Sequence, residues 1–384
     1  MNDLNKLLLS KILFSSHKKK LKGSFILISL VVMLLVMSQI FVDSMSEGIV
    51  KRYALLGSGH IETSVLEDVS SYDFIEEEND VSKGSALAYG ADEVSQVVML
   101  KGVDDSYFKK ERASVITFNM TDETSTLSNI YISKILSEQL NIGLGDKMAI
   151  VADNGASRLF PKLCFVKGIY DSGYKELDQY LIFCDKLLLS KIYNNNLEQH
   201  KEIILNDGIS VQTATSIMNN DGINAIPWYS MERDLYTNLL TSTQTLLIVF
   251  LAIALLSGFF ISSEASDLIS SSHRNIAINK LLGLSSKKIR WVYFIAIEIV
   301  TLLSILCGMI LGIAMSYIFP VFLQFLAKQS ISSLSWYLLT FDINIPIRKL
   351  LLITLSLLTV SFLSVYLSLK RANKIEPMYL LNQD

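Results

Sequence analysis

Four long apolar stretches divide the chain, at residues 24–42, 244–262, 291–319 and 349–369. A helix needs about 20 mostly apolar residues to cross the hydrocarbon core of a bilayer, so each stretch predicts one transmembrane helix. Residues 43–243, between the first and second stretches, have the mixed composition of a soluble domain. The pattern therefore predicts a membrane protein with four crossings and one large domain inserted after the first.

The inserted segment contains both strand-like and helix-like patterns. Strand-like runs occupy residues 60–66, 94–103, 147–152, 163–169, 179–183 and 202–205, and helical periodicity occupies 134–140 and 211–219. This alternation favours an α+β domain. The two ends of the segment, around residues 43–53 and 227–229, are expected to form a stalk.

Basic residues predict the orientation in the membrane. They are concentrated in residues 1–23, where an amphipathic helix is expected in the membrane interface, in the loop 263–290, and in the tail 370–384. Four crossings place all three segments on one side, which the positive-inside rule assigns to the cytoplasm. The inserted domain and the short loop 320–348, with an expected helix around Trp336, then lie outside. Arg348 and Lys349, at the outer end of the fourth stretch, are the exception to this rule.

Composition narrows the possible chemistry. The 384 residues are 51% hydrophobic and only 18% charged, with a net charge of −3 and a mean hydropathy of +0.39. No basic patch lies beside aromatic residues, which argues against nucleic-acid binding. No Walker A or dinucleotide-binding motif is present, and the three cysteines and four histidines lack metal-ligand spacing. The sequence therefore predicts neither an enzyme nor a chain with its own cofactor or metal.

The loop 263–290 carries a short amphipathic helical pattern, with Ala277, Ile278, Leu281 and Leu282 on one face and Gly283 placed to end the helix. An apolar face on a short helix suits a groove in another protein. The alternative is an ordinary basic loop that merely obeys the positive-inside rule.

Residues 274–285 read RNIAINKLLGLS, which resembles the coupling helix of MacB/FtsX-like ABC transporter permeases, usually REIGILKALGAS. The sequence departs from that pattern at Asn275, where the family has Glu, and at Asn279, where it has an apolar residue. The tail KRANKIEP, at 370–377, and the order of segments are also similar to this family. The resemblance implies the fold of a type VII, MacB-like transporter. It also implies that the ATPase contacts the following residues: Arg274, Ile276, Ile278, Lys280, Leu281, Leu282 and Gly283.

Four stretches of the inserted domain resemble the lipoprotein-releasing (Lol) branch of that family. They are GSGHIE at 57–62, LKGVD at 100–104, the helix with its Gly-Asp turn at 132–146, and GIYDSGYKELD at 168–178. The last is the most specific, because a Gly-Asp turn alone can precede any strand.

The resemblance implies a complex in the bacterial inner membrane. Two permeases, identical or different, would pair with two copies of a Lol-type ATPase, which binds ATP and Mg. A triacylated lipoprotein would be extracted from the outer leaflet, among membrane lipids, and passed to a periplasmic lipoprotein carrier. In the family one permease docks that carrier through a hairpin; the corresponding residues here are Asn154, Arg158 and Phe160, in a short segment that puts carrier docking by this chain in question.

Several residues admit two interpretations. Gly308 and Gly312 form a G-x-x-x-G pattern that permits close helix packing, within or between subunits, although glycine is common in membrane helices generally. Glu298 either faces the protein interior or is solvated at the cytoplasmic headgroups. Cys164 and Cys184 would lie opposite each other if their strands formed a hairpin, and are either a disulfide or two buried thiols.

Two functions within the same family remain as alternatives. One is a MacB-like exporter of peptides or drugs, which would require an adaptor protein. The other is an FtsX-like signalling permease that moves no substrate, for which an inserted domain of this size is large. A membrane-anchored receptor is a third possibility, disfavoured by the coupling-helix pattern.

Overall fold

The computed structural model describes residues 18–90, 94–104, 106–152, 161–194, 197–206, 208–272, 276, 285–328 and 341–371. They fall into two compact units: a helical unit, with residues up to 44, 240–321 and from 343, and an outer unit, with residues 45–239 and 322–342. The predicted fold class is confirmed: four helices are long and apolar enough to cross a membrane, and an α+β domain is inserted after the first.

The four long helices extend beyond the apolar stretches that predict them. They are α1 (Lys18–Arg52), α8 (Arg233–Ser271), α9 (Ser286–Lys328) and α10 (Ile347–Arg371). At 1.5 Å per residue, the 35 residues of α1 span about 50 Å, more than the ~30 Å hydrocarbon core. Helix α9 continues through Pro320, where the sequence predicts its end. Membrane helices tolerate proline because side chains and neighbouring helices satisfy the freed backbone groups.

The outer unit contains the remaining elements. Its helices are α2 (Lys110–Ser114), α3 (Lys134–Leu140), α4 (Lys175–Asp178), α5 (Lys186–Ile192), α6 (Val211–Asn220) and α7 (Trp228–Met231). Its strands are β1 (Ile61–Ser64), β2 (Ile75–Tyr89), β3 (Ser95–Val103), β4 (Thr117–Met120), β5 (Ser128–Ser133), β6 (Lys147–Ala152), β7 (Lys162–Asp171), β8 (Leu181–Asp185), β9 (Gln199–Leu205) and β10 (Ile226–Pro227). Ser133 and Ser210 cap α3 and α6 by accepting backbone N–H groups.

Six strands pair in a closed ring. In order they are β2, β3, β8, β5, β7 and β6, and β6 pairs back onto β2. The inward positions alternate along each strand and fill the ring, as side chains do in small barrels. They include Ala88, Leu100, Ile132, Ile150 and Val166, all buried. Strands β9, β1 and β10 continue the sheet beyond β2.

The two cysteine-bearing strands do not form the hairpin that would place their cysteines opposite each other. β5 lies between β7 and β8, and its Ser128 is the register partner of Cys164 while its Ile130 is the partner of Cys184. Both cysteines are buried free thiols. Burial raises the pKa of Cys164 to about 12.

Candidate functional site

The chain enters the outer unit from α1 through a turn with an unusual backbone conformation. Immediately after Arg52 the chain makes a π-helical turn, Tyr53–Ser58, and leaves it at Gly59 with a φ of 74°. The turn is almost entirely buried, and Leu55 and Leu56 have no exposed surface. Carbonyl groups at a helix end lack partners within the helix. The buried carbonyls of this turn therefore require donors from elsewhere in the fold.

Those donors come from β3 and α2. Lys101 Nζ donates to the carbonyls of Leu56, at 2.7 Å, and Gly57, at 3.0 Å. Arg112 Nε donates to the carbonyl of Leu55 at 2.9 Å. Both cations are fully buried and stand where positive charge complements the negative end of a helix. They fix the π-helical turn that follows α1 to the interior of the outer unit.

Glu202, on β9, provides the balancing negative charge. Its Oε1 lies 2.7 Å from Lys101 Nζ and 3.1 Å from Lys83 Nζ, and its Oε2 lies 3.7 Å from Arg112 Nη2. Tyr107 donates its hydroxyl to Oε2 at 3.0 Å, and its ring centroid lies 4.1 Å from Arg112 Cζ. We call these residues, with two outer acids that pair with Lys83 and Arg112, the buried charge cluster: Glu62, Glu77, Lys83, Lys101, Tyr107, Arg112 and Glu202.

The cluster shifts the pKa values of its members. Burial alone would raise the pKa of Glu202, but the adjacent Lys101, Lys83 and Arg112 outweigh it and hold that pKa below its usual value. Burial lowers the pKa of Lys101 and exceeds the opposing effect of Glu202. Burial also lowers the pKa of Lys83, but the adjacent Glu202 and Glu62 raise it by more than burial lowers it. The pKa of Lys83 is therefore above its usual value. Glu202 is thus held as a carboxylate between cations.

In the helical unit, the two glycines of the G-x-x-x-G pattern face α1. A Cβ on Gly308 would lie 2.6 Å from the carbonyl oxygen of Ser29, and one on Gly312 would lie 2.7 Å from Val36 Cβ. Ser29 also donates its hydroxyl to the carbonyl of Ser304, on α9, at 3.1 Å. The structure therefore places this pattern at a contact of α9 with α1 inside one chain.

Glu298, on α9, faces α10. Ser361 donates its hydroxyl to Glu298 Oε1 at 3.0 Å, and the glutamate is half-buried. This position corresponds to the interior interpretation of the residue. Gly258 marks a second close approach, of α8 to α10, because a Cβ there would lie 2.1 Å from Val360 Cγ1.

Lys349, which does not follow the positive-inside rule, pairs with an acidic residue. Lys349 Nζ lies 2.6 Å from Asp43 Oδ1, and Gln39 donates its side-chain amide to the other carboxylate oxygen at 2.8 Å. The backbone N–H of Asn344 donates to the Ser44 hydroxyl at 3.0 Å. Asp43 therefore neutralises Lys349, which explains how a basic residue is accommodated at this end of α10.

The predicted ATPase-contacting segment and the predicted carrier hairpin lie almost wholly outside the described residues. Of the first set only Ile276 is described; it is half-buried against the helical core, and its N–H donates to the carbonyl of Ser272 at 2.9 Å. Arg274, Ile278, Lys280, Leu281, Leu282 and Gly283 lie outside, as do Asn154, Arg158 and Phe160. Their roles stay predictions.

Sequence reasoning missed the buried charge cluster. Lys101 and Glu202 both lie in strands that were predicted, at positions flanked by Leu100 and Ile203, which are fully buried. A charged residue within a buried apolar strand requires a partner of opposite charge. This signal was present in the sequence, but it does not identify which residues pair.

The part of the chain that contains the last three long helices matches a known family. Residues 239–377 match the FtsX-like permease C-terminal family. Over 261 residues the chain is 22% identical to the lipoprotein-releasing system transmembrane protein LolC of Xylella fastidiosa strain Temecula1, and 21% identical to that of strain 9a5c. Each alignment covers 65% of this chain and 63% of the relative, so the chain spans less than two thirds of the relatives' length. These matches confirm the resemblance to MacB/FtsX-like permeases.

Solved structures give a weaker likeness. The periplasmic region of MacB from Actinobacillus actinomycetemcomitans has a TM-score of 0.30 and 8% identity, covering 47% of this chain and 97% of that one. The extracellular domain of YknZ from Gram-positive bacteria has a TM-score of 0.27 and 13% identity, covering 41% of this chain and 83% of that one. At these scores the comparison adds nothing to the sequence matches.

We predict that Glu202→Gln destabilises the outer unit by about 3–5 kcal/mol, because it leaves Lys101 buried without a counter-charge and leaves Arg112 with Glu77 alone. Thermal unfolding of the full-length chain in detergent, followed by hydrogen exchange of the β9 amides, measures this effect. Glu198→Gln, at an exposed acid just before the same strand, is the matched control and should leave both unchanged. Equal behaviour of the two variants would contradict the role given to the cluster.

We predict that Gly308→Ala lowers the thermal stability of the helical unit by about 1–3 kcal/mol, because the added methyl group overpacks the contact with α1. Gly23→Ala introduces the same methyl group on α1, where nothing lies within 4 Å, and serves as control. Unfolding in detergent compares the two. A Gly308→Ala chain as stable as the Gly23→Ala chain would show that the α1–α9 contact is not tight.

Proposed function

Because this chain carries an FtsX-like permease C-terminal region, we propose that the chain is the membrane subunit of an ABC transporter that extracts lipoproteins. The observation that carries this proposal is the similarity to LolC, a lipoprotein-releasing transmembrane protein, over 261 residues. The cargo would be a triacylated lipoprotein in the outer leaflet of a bacterial inner membrane, passed on to a periplasmic carrier.

The energetics of lipid anchors make an ATP-driven step necessary. Each CH₂ group of an acyl chain contributes about 0.8 kcal/mol to membrane retention, so three chains hold a lipoprotein essentially permanently. Extraction must therefore be coupled to an energy source. We propose that this source is a partner ATPase that binds ATP and Mg, since the chain itself belongs to the permease side of such systems.

The coupling would begin at residues 274–283. Arg274 and Lys280 are expected to meet the ATPase, with the apolar face of Ile278, Leu281 and Leu282 in a groove of that protein. In the helical unit α9 contacts α1 at Gly308 and Gly312. Movement of α9 on ATP binding would thus displace α1, whose far end is held by the buried charge cluster. This proposed route uses contacts within each unit and the continuity of α1 along the chain.

The proposed assembly has two permeases and two ATPase subunits. The second permease is a further copy of this chain or a related one. If only one of the two permeases docks the carrier, this chain is the permease that does not dock it, because the segment with Asn154, Arg158 and Phe160 is short.

We predict that a triacylated lipoprotein stimulates ATP hydrolysis by the complex that co-purifies with this chain. A coupled extraction step would raise turnover severalfold, because cargo binding would favour the state in which the ATPases close. The measurement is phosphate release in nanodiscs, with the acylated lipoprotein and with the same protein lacking its lipids. Stimulation by both forms, or by neither, would contradict lipoprotein extraction. A co-purifying ATPase indifferent to lipoprotein would favour an exporter or a signalling permease instead.

We predict that Arg274→Glu and Gly283→Pro each remove most of that severalfold stimulation, a loss of up to about 1 kcal/mol in coupling. The first reverses a charge at the expected ATPase contact, and the second disrupts the end of the expected helix. Lys109→Glu, a charge reversal at an exposed position of the outer unit, is the control. Full stimulation in both loop variants, with ATPase still bound, would show that the coupling contact lies elsewhere.

A further inference from the structure

Residues 171–178, between β7 and β8, contact the end of α1 at two points. Arg52, the last residue of α1, donates its Nε–H to the carbonyl of Ser172 at 2.5 Å. The next residue, Tyr53, packs its ring edge-on against the ring of Tyr174, with 5.9 Å between the two centroids. We call residues 171–178 the β7–β8 turn. It attaches α1 to the outer unit independently of the buried charge cluster.

Asp178, the last residue of this turn, is a buried acid with one unsatisfied oxygen. Only 1% of its surface is exposed. Its Oδ2 accepts the backbone N–H of Ser172 at 3.1 Å, whereas its Oδ1 has no hydrogen-bond partner among the residues that the structure describes. A carboxylate that is buried with an oxygen unpaired costs far more free energy than the neutral acid does. The contacts of this site therefore suit a protonated Asp178 better than an ionised one.

Ser172 connects this acid to α1. Its backbone N–H donates to the Asp178 carboxyl, and its carbonyl accepts from Arg52. Two further hydrogen bonds close the turn: the N–H of Tyr174 donates to the Ser172 hydroxyl at 3.3 Å, and the N–H of Asp178 donates to the Tyr174 carbonyl at 3.1 Å. Asp171, at the start of the turn, is exposed, so the turn lies at the surface of the outer unit. A change at the carboxyl group therefore reaches Arg52 through one residue.

The surroundings of Asp178 favour its neutral form. Burial raises the pKa of Asp178 to about 7, and this effect exceeds that of the hydrogen bonds from Ser172, which lower the pKa. Of the nearby charges, Asp171 raises that pKa further and Arg52 lowers it. Burial, with the charge of Asp178 as a lesser cause, also raises the pKa of Tyr170 on β7. The other titratable groups on the elements that pack here are Tyr53 after α1, Lys134 and Glu138 on α3, Tyr174, Lys175, Glu176 and Tyr180 in and beside α4, and Asp342, whose charge acts on Arg52.

We propose that Asp178 is a proton-binding site through which the acidity outside the cytoplasm controls how firmly the outer unit holds the end of α1. The protonated acid keeps the β7–β8 turn closed. Loss of the proton leaves a buried negative charge with one oxygen unsatisfied, so the turn opens and water reaches Oδ1. The Ser172 carbonyl then no longer has a fixed position beside Arg52. Acid therefore strengthens this attachment of α1, and a rise towards neutral pH weakens it.

Proton linkage determines the direction and the pH range of this effect. In the closed turn the pKa of Asp178 is about 7, whereas an aspartate in contact with water has its ordinary pKa of 3.8. Between about pH 4 and pH 7 the closed turn therefore binds more protons than the open turn, and its stability falls as the pH rises. Below that range both forms are protonated, and above it both are ionised. Asp178 then contributes no further pH dependence.

The test is hydrogen exchange of the full-length chain in detergent at pH 5 and pH 7, with each rate divided by its intrinsic rate at the same pH. The amides of Ser172, Tyr174 and Asp178 report on the turn because they form hydrogen bonds within it. We expect their protection to fall about tenfold or more between pH 5 and pH 7. Asp178→Asn, a neutral side chain of the same shape as the protonated acid, should give equal, high protection at both pH values.

Asp185→Asn is the matched control, because Asp185 is an exposed acid whose side chain makes no capping hydrogen bond to α5. This variant should keep the pH dependence of the wild type. Equal protection of the wild-type turn at both pH values would overturn the proposal, as would a pH dependence that persists in Asp178→Asn.

The wild-type chain also provides a test that needs no variant. Loss of protection confined to the β7–β8 turn supports the proposal even if Asp178→Asn does not fold. An equal loss in the amides of β9, which carries Glu202, would assign the titration to the buried charge cluster or to global unfolding and overturn the proposal. None of these measurements involves an ATPase or a lipoprotein, so their outcome is independent of the proposed function.

Discussion

The outer unit depends on a single buried carboxylate. Glu202 brings together β9, β3 and α2, because Lys101 and Arg112 can be buried only where a negative charge compensates them. With that charge in place, the same two cations satisfy carbonyls of the turn that follows α1. One ionic contact thereby links the sheet to the end of the first long helix. Its removal would affect both.

The helical unit is held together by a different kind of contact. Small residues let the helices approach closely, at Gly308 and Gly312 against α1 and at Gly258 against α10. Hydroxyl groups add hydrogen bonds at the same seams, such as Ser29 to Ser304. Membrane helices need such contacts because lipid gives them no hydrophobic reason to associate. Buried charge organises one unit, and close backbone packing organises the other.

Much of this fold follows from the sequence, and the failures have physical causes. The four apolar stretches identify the four helices because hydrocarbon length is a strong constraint, but the helix ends were missed since polar turns continue α1 and α8. Strand β2 was missed because its acidic run resembles a loop; Glu77 and Glu78 are accommodated by Arg112 and Lys201, which no local pattern reveals. β5 was missed because it leads directly into α3. Without β5, a hairpin of the two cysteine-bearing strands remained possible, whereas β5 lies between them.

The functional residues divide in the same way. Gly308, Gly312 and Glu298 were identified because glycine spacing and an intramembrane acid are unusual within one helix. The buried charge cluster was not, since its members are up to 140 residues apart, from Glu62 to Glu202, and only the tertiary fold brings them together. Local patterns identify contacts between neighbouring turns. They do not identify ion pairs across a sheet.

The position of β9 in the chain also determines the order in which the protein can mature. At synthesis rates of about 5–20 residues per second, roughly 7–30 seconds separate the emergence of Leu56 from that of Glu202. During that interval Lys101 has no carboxylate to offset its burial and Arg112 has only Glu77, so the turn after α1 cannot acquire all of its donors. The six-stranded ring, complete at Asp185, can close before β9 arrives. The first membrane helix is therefore inserted well before its outer end is secured, and an extracytoplasmic folding helper would have this interval in which to act.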